Sequence, residues 1–183
     1  MDRRQRKTRE AIFRAFTELL TRESYARITI AEIIETADVG RTTFYAHFET
    51  KDDLLRALWA EIFAHVLSPG PAKESTHDFS REDSLAGAVT HILYHLRDSR
   101  AYLRGLLSEE TGGASVEYFK EYMAALLERY IRTPPQGIPA EYLSDHLVCD
   151  FVETVRWWTR HGEYSPEEIG SFFLRTSPIP PAP

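Results

Sequence analysis

Apolar residues recur at helical spacing along almost the whole chain, and this repetition constrains the fold more than any other feature of the sequence. A first helix is predicted from Ile12, Phe13, Phe16, Leu19 and Leu20, which follow the i, i+1, i+4, i+7, i+8 pattern. Further helices are predicted from about residue 29, over 41–47, from residue 50, and over 82–98, 100–107, 115–132, 140–161 and 165–175. No stretch of the sequence alternates polar and apolar residues as a half-buried strand does. The sequence therefore predicts an all-α protein.

Short polar signals mark the starts of three of these helices. Thr29 is a predicted N-cap, and Glu32 three residues later completes a capping box. Thr50 is predicted to cap the helix that follows residues 41–47. Ser165 is predicted to cap the last helix, with Pro166 at its first position, where the missing N–H is not needed.

Composition excludes several classes of protein. The 183 residues are 43% hydrophobic and 27% charged, which is ordinary for a globular domain. The single cysteine, Cys149, rules out an intrachain disulfide, and its apolar surroundings, LVCDFV, predict a small buried side chain. No apolar run is long enough to span a bilayer, and the N-terminus lacks the apolar core of a signal peptide. We therefore expect no membrane partner and a cytoplasmic location.

The charge is distributed unevenly along the chain. The net charge is −6, yet residues 1–47 contain nine Lys and Arg against seven Asp and Glu. Five basic side chains and one acidic side chain lie within the first nine residues, MDRRQRKTR. This asymmetry indicates that the N-terminal end meets a polyanion, although a solvated terminus would have the same composition.

The stretch VGRTTFYAHFETK, residues 39–51, separates into faces on a helical wheel. Phe44 and Phe48 centre one face, and Thr42, Thr43 and Ala46 lie opposite them. The phenylalanines are predicted to fix the angle of a short helix on the preceding helices. The opposite face is then free to enter a DNA major groove, where a small alanine permits close approach and hydroxyls can reach bases or phosphates.

The remaining polar residues of this stretch suit the same surface. Arg41 can make a bidentate contact to guanine, whereas Tyr45 and His47 flank the helix where the phosphates would lie. Lys51 and Thr29 stand at the starts of the neighbouring helices, whose free N–H groups bind anions. The same spacing also occurs in packed helical proteins, where Tyr45 and His47 would belong to a core.

Residues 29–58, TIAEIIETADVGRTTFYAHFETKDDLLRAL, resemble the signature of the tetracycline-repressor-like (TetR) family of bacterial regulators. That signature has an apolar helix, an alanine before a tight turn, and a short recognition helix ending in Tyr-x-His/Tyr-Phe. A lysine and a leucine-rich helix follow. The matching positions are Ala37, Val39, Thr43, Phe44, Tyr45, His47, Phe48, Lys51 and Leu54.

Two positions depart from the family pattern. Asp38 replaces a usual glycine, and Gly40 replaces a usual serine or threonine cap. Aspartate tolerates the left-handed conformation that glycine favours, and glycine is a weaker but acceptable N-cap. Asp38 would also repel phosphate if it faced the duplex.

The resemblance implies a domain organisation. Residues 1–50 would form a helix-turn-helix DNA-binding domain of three helices. Residues 51–175 would form a helical effector-binding and dimerisation domain, with a subdomain boundary in the loop 68–80, and the proline-rich tail 176–183 would be disordered. The protein would be a dimeric, ligand-responsive transcriptional regulator. It would act as a repressor that a small molecule releases from a palindromic operator.

The resemblance also implies two sites in the second domain. The apolar candidates for a homodimer surface are Phe151, Val155, Trp158, Ile169, Phe172 and Phe173. The candidates for an effector pocket are His91, Tyr94, His95, Tyr102, Phe119, Tyr122, Met123 and Trp157. Ordinary core packing is the competing interpretation of both sets.

Two other classes of function are compatible with a helical chain of this length. An enzyme lacks support, because no nucleophile–base motif, no HExxH and no glycine-rich phosphate loop is present. His91 and His95 have a metal-compatible spacing but no third ligand nearby in sequence, so no metal and no cofactor are expected. The remaining alternative is a helical interaction module or ligand sensor that does not bind DNA.

Overall fold

A computed structural model describes residues 2–63, 84–108, 113–130, 134 and 137–177 of the chain. Every regular element in these ranges is an α-helix, which confirms the predicted all-α class. The helices are α1 Arg3–Leu20, α2 Ile30–Thr36, α3 Arg41–Tyr45, α4 Lys51–Phe63, α5 Leu85–Asp98, α6 Arg100–Leu106, α7 Ala114–Tyr130, α8 Ala140–Arg160 and α9 Pro166–Thr176. The predicted loop 68–80 and the tail residues 178–183 lie outside the described residues.

The helix starts follow the local signals of the sequence. Thr29 and Glu32 form the predicted capping box: the Glu32 amide donates to Thr29 Oγ1 at 3.3 Å, and the Thr29 amide donates to Glu32 Oε2 at 2.7 Å. Thr50 and Asp53 make the same reciprocal pair, each amide donating to the other side chain at 3.0 Å. Ser165 caps α9, whose first residue is proline, so all three predicted caps are confirmed.

The chain forms two compact units. The first comprises Met1–Glu61 and Ser99–Glu117, and the second comprises Ile62–Asp98 and Tyr118–Pro183. The first compact unit extends beyond residue 50 and also includes α6 and the start of α7. The functional boundary at residue 50 stays a prediction.

The first unit is built around the apolar face of α1. Its buried residues, Ile12, Phe13, Ala15, Phe16, Leu19 and Leu20, share one side of the helix and face α2 and α6. A buried polar pair is satisfied within the same unit, since Trp59 Nε1 donates to Ser115 Oγ at 3.3 Å.

A chain of four aromatic rings runs through the core of the second unit. The ring centroids of Phe63 and Phe119 are 5.7 Å apart, those of Phe119 and Phe151 are 6.0 Å apart, and those of Phe151 and Phe173 are 5.1 Å apart. These contacts join the end of α4 to α7, α8 and α9. Such pairs add to the stabilisation that burial of the rings provides.

The predicted burial of Cys149 is wrong, because its side chain is exposed. On a helix, Leu147, Val148, Phe151 and Val152 share the face that is buried in the core. Cys149 lies more than a quarter-turn from the centre of that face. Apolar neighbours in sequence are therefore not its neighbours in space.

Candidate nucleic-acid interface

The predicted recognition helix, α3, is anchored by two buried rings. Phe44 is fully buried and Phe48 is 4% exposed, with 6.0 Å between their ring centroids. Phe48 meets Phe13 of α1 edge to face at 5.6 Å. The two phenylalanines thus occupy the buried face that the helical wheel predicts for them.

The opposite side of α3 is open to solvent. Thr42, Thr43 and Ala46 are exposed there, and Arg41 is exposed at the first position of the helix. Tyr45 keeps 45% of its surface exposed, and its ring lies perpendicular to that of Phe44 with 5.5 Å between the centroids. His47 is half-buried beside Phe48. Short hydroxyls, one methyl and one guanidinium are therefore presented together on a helix whose other face is fixed.

A tight turn before α3 sets its direction. Asp38 has φ +52°, the left-handed conformation that the family pattern usually gives to glycine. Around it the Asp38 amide donates to the Glu35 carbonyl and the Val39 amide donates to the Ile34 carbonyl, both at 3.2 Å. This is the Schellman arrangement that ends a helix. Gly40 is the N-cap of α3 and offers no side chain to its free amides.

The Lys51 ammonium is held by contacts within the protein and is not freely solvated. Its ammonium donates to the carbonyls of Tyr25 at 2.9 Å and Ile28 at 2.7 Å, and it lies 4.3 Å from the centroid of the Tyr25 ring. Burial lowers the pKa of Lys51, while the carboxylates of Asp52 and Glu32 act in the opposite direction. The predicted phosphate contact stays a prediction, but the side chain already has protein partners.

Thr29 is also occupied by the protein. Its hydroxyl donates to Glu32 Oε2 at 2.7 Å and accepts from the Glu32 amide, although the residue is exposed. The hydrogen bond with the Thr29 hydroxyl is the main cause that lowers the pKa of Glu32, and the hydrogen bond from the Thr29 amide acts in the same direction. The hydroxyl would have to leave the capping box to contact a phosphate.

The basic N-terminus is helical from Arg3 onward. Arg3, Arg4, Arg6 and Lys7 are exposed, as a surface for a polyanion requires. Arg9 is different: its guanidinium lies 4.8 Å from the Phe13 centroid and 5.0 Å from the Phe48 centroid, and it pairs with Glu61 at 3.7 Å. Arg9 and Tyr25 were not predicted as supports of the interface. An Arg four residues before a Phe was the available signal for the first.

The predicted effector-pocket residues are divided between the two units. Tyr102 belongs to the first unit, whereas the other seven belong to the second. Phe119 and Met123 are fully buried, and Trp157 is 37% exposed and stacks on His161. Their role in a pocket stays a prediction.

Two of the pocket candidates lie side by side on α5. His91 is 7% exposed, and its Nε2 lies 2.9 Å from Nε2 of His95. In the described ranges no three His, Cys, Asp or Glu side chains are grouped as metal ligands.

Five of the six predicted dimer-surface residues lie in the core of a single chain. Phe151, Val155, Trp158, Ile169 and Phe173 are at most 1% exposed. Trp158 also donates from Nε1 to the Tyr164 carbonyl at 2.9 Å. These five side chains cannot supply an intersubunit surface, because their apolar area is already used within the chain. Phe172 is 40% exposed.

The comparisons with known proteins agree with this geometry. Residues 11–58 match the family model of the bacterial regulatory proteins of the tetR family. The chain is 33% identical over 85 residues to YxbF, an uncharacterized HTH-type transcriptional regulator of Bacillus subtilis, covering 46% of this chain and 22% of YxbF. It is 30% identical over 144 residues to TcmR, an HTH-type transcriptional regulator of Streptomyces glaucescens, covering 70% of this chain and 61% of TcmR. The chain thus spans less than two thirds of the length of these curated relatives.

A solved structure extends the similarity over the whole fold. A TetR transcriptional regulator from Streptococcus agalactiae superposes with a TM-score of 0.72 and 28% sequence identity, covering 96% of each chain. The helical region beyond residue 58 therefore has a counterpart of the same architecture. Among the described residues, no helix is both long and apolar enough to cross a membrane.

Proposed function

This chain belongs to the TetR family of bacterial regulatory proteins, and on that premise we propose that it is a DNA-binding transcriptional regulator and not an enzyme. The observation that carries the proposal is the division of α3 into a buried face of two phenylalanines and an exposed face of short polar side chains. A helix held on one side and free on the other suits insertion into a major groove. The protein works in the cytoplasm, where it meets double-stranded DNA.

The exposed side chains divide between two tasks. Arg41, Thr42, Thr43 and Ala46 read base edges, because they lie at the start and on the open face of α3. Tyr45 and His47 position the helix from its flanks, together with the basic first turns of α1. The exposed cations Arg3, Arg4, Arg6 and Lys7 supply the part of the affinity that is independent of sequence.

The regulator acts as a homodimer. One short helix contacts few base pairs, and specific affinities of roughly 10⁻⁸–10⁻¹¹ M usually need two half-sites. On α8 and α9 the large exposed apolar side chains are Tyr142, Trp157 and Phe172. Tyr164 bridges the last two rings, with centroid distances of 5.3 Å to Trp157 and 5.5 Å to Phe172. This exposed aromatic cluster is the proposed place of contact with a second subunit.

Dimerisation is tested by sedimentation. The variant Phe172→Asp should shift a dimeric wild type toward monomer, because a carboxylate on each subunit would be buried against the other. The matched control is Tyr45→Asp, which places the same charge at an exposed aromatic position of the first unit. A dimer that persists in Phe172→Asp would contradict this surface.

The second unit binds a small-molecule effector. The protein acts as a repressor, and binding of the effector releases it from its operator. The His91–His95 pair, of which His91 is buried, and the aromatic residues of α7 support a ligand site in this unit, since pockets combine apolar walls with few polar groups. A reporter gene under the recovered operator measures the sign of regulation. Higher reporter activity in cells that lack the protein is expected, and lower activity would identify an activator.

DNA binding itself is tested by selecting bound genomic fragments and measuring gel shifts at rising salt. We expect a palindrome-dependent shift whose binding constant falls steeply as salt increases. Arg129→Ala, which removes an exposed cation from α7, is a control for loss of charge alone. Recovery of no preferred sequence from the fragment library would refute the proposal and favour a helical interaction module.

A further inference from the structure

Lys51 is half-buried and already paired at the start of α4. Two of its three N–H donors point at carbonyl oxygens, those of Tyr25 at 2.9 Å and Ile28 at 2.7 Å. The face of the Tyr25 ring lies 4.3 Å away and gives the cation a third favourable contact. A DNA phosphate would therefore have to compete with these partners for the ammonium.

The partners of Lys51 lie on the connection between α1 and α2. Ile28 directly precedes Thr29, the N-cap of α2, so its carbonyl marks the point where α2 begins. Tyr25 is fastened from a second direction, because its hydroxyl donates to the Asp52 carboxylate. The first turn of α4 therefore holds the segment that leads into α2.

Tyr25 connects this clasp to the rest of the first unit. Its amide donates to the Gly105 carbonyl of α6 at 3.2 Å, and its ring meets Phe16 of α1 edge to face at 6.2 Å. The helices α2 and α4 flank α3 along the chain. Holding one to the other limits the directions in which α3 can point.

From this geometry we infer that Lys51 is a positioning residue: it clasps α4 to the start of α2 and does not contact a DNA phosphate. The inference rests on the proposed DNA-binding function, because position matters only if α3 must meet a groove. From the sequence alone, Lys51 at the start of a helix is predicted to contact a phosphate. Its contacts in the structure assign it a positioning role instead.

The two roles differ in the salt dependence of DNA binding. A phosphate contact releases about one counterion per lysine, so its loss makes the slope of log K against log salt shallower by about 0.9 for each subunit. Loss of a positioning residue weakens binding by about ten-fold on every sequence and leaves the slope unchanged. Lys51→Met is the variant, since methionine keeps the apolar stem and removes the donors. Lys7→Met, an exposed lysine of α1, is the matched control and should make the slope shallower.

A second variant and a measurement without DNA complete the test. Lys51→Arg keeps a cation that binds phosphate well, so a phosphate contact predicts unchanged affinity, whereas a clasp fitted to two carbonyls predicts weaker binding with the same slope. Hydrogen exchange of the α2 amides should accelerate in Lys51→Met even in the absence of DNA. A shallower slope for Lys51→Met, unchanged affinity in both variants, or unchanged exchange would overturn the inference. Failure of the wild type to bind any DNA would refute the proposed function, and the exchange measurement would still test the clasp.

Discussion

The backbone of Gly105 in α6 lies directly against the Leu20 carbonyl at the end of α1. A β-carbon at position 105 would stand 2.3 Å from the oxygen of Leu20 and 2.7 Å from the oxygen of Glu23. The Gly105 carbonyl in turn accepts a hydrogen bond from the Tyr25 amide. Only glycine permits this approach of α6 to the end of α1, within the first unit.

Gly105→Ala should destabilise the protein although alanine is the better helix former. The helix propensity of alanine would contribute about 1 kcal/mol, but the clash is with backbone and can be relieved only by moving a helix. Overpacking of this kind typically costs about 1–3 kcal/mol. The control is Gly170→Ala, whose β-carbon would meet the rotatable Thr90 hydroxyl at 3.1 Å. Urea unfolding should show the larger loss for Gly105→Ala, and equal losses would contradict the argument.

Asp38 should be less favourable than glycine and more favourable than alanine. Its φ of +52° costs an ordinary side chain about 1–2 kcal/mol, and aspartate less, because its short polar side chain tolerates this region. We expect Asp38→Gly to match or exceed the wild-type free energy of unfolding and Asp38→Ala to fall about 1 kcal/mol below it. Chemical denaturation of the three proteins in parallel measures this order. An alanine variant as stable as the glycine variant would show that the turn relaxes.

Gly40→Ser should stabilise α3 by a few tenths of a kcal/mol, because a serine hydroxyl can accept from the free amides that glycine leaves unsatisfied. A β-carbon at Gly40 would meet Thr43 Oγ1 at 3.6 Å, which is an ordinary contact. Gly40→Ala is the control, since it adds the same carbon without the oxygen and alanine is a poor cap. A rise in melting temperature for serine and a fall for alanine are expected. If both variants change alike, capping is not the cause.

Local patterns were sufficient to predict much of this protein. The capping pairs at Thr29 and Ser165, and the burial of Phe44 and Phe48, depend on residues three or four apart in the chain. Asp38 stands where the family pattern usually has glycine, and it adopts the left-handed conformation that aspartate tolerates. Interactions that a helix makes with itself are visible in the sequence.

Long-range contacts could not be predicted in the same way. The partners of Lys51 lie 23 and 26 residues before it, and no local pattern marks a carbonyl as an acceptor. The apolar faces of α8 and α9 were recognised, but a stripe such as Phe151 and Phe173 does not reveal whether its partner is the same chain or a second copy. The apolar run around Cys149 predicts burial only when the helical phase is ignored, and the side chain is exposed.

Arg41→Ala should relax sequence preference at one base position in each half-site. Arg41 is exposed at the first position of α3, where its guanidinium can reach guanine O6 and N7. Loss of such a contact typically costs about 1–3 kcal/mol on the preferred site and much less on others. Binding to a set of operators with single base changes measures this selectivity. Arg4→Ala, on the exposed first turn of α1, should weaken all sequences alike, and the same uniform loss for Arg41→Ala would refute base reading.

Tyr94→Phe should reduce stability at neutral pH but not in acid. The Tyr94 hydroxyl of α5 donates to the Glu167 carboxylate of α9, and this hydrogen bond is the main cause that lowers the pKa of Glu167 below its ordinary 4.5. A carboxyl with a depressed pKa in the folded state contributes stability above pH 4.5, which is lost as the pH falls through the folded pKa. Because both groups are largely in contact with solvent, the contribution is about 0.5 kcal/mol or less.

Unfolding measured at pH 7 and pH 3 should show a difference between wild type and Tyr94→Phe only at pH 7. In an NMR titration of Tyr94→Phe, the pKa of Glu167 should return toward 4.5. Tyr45→Phe, at an exposed position of α3, is the control, and a wild-type advantage that grows in acid would refute the assignment.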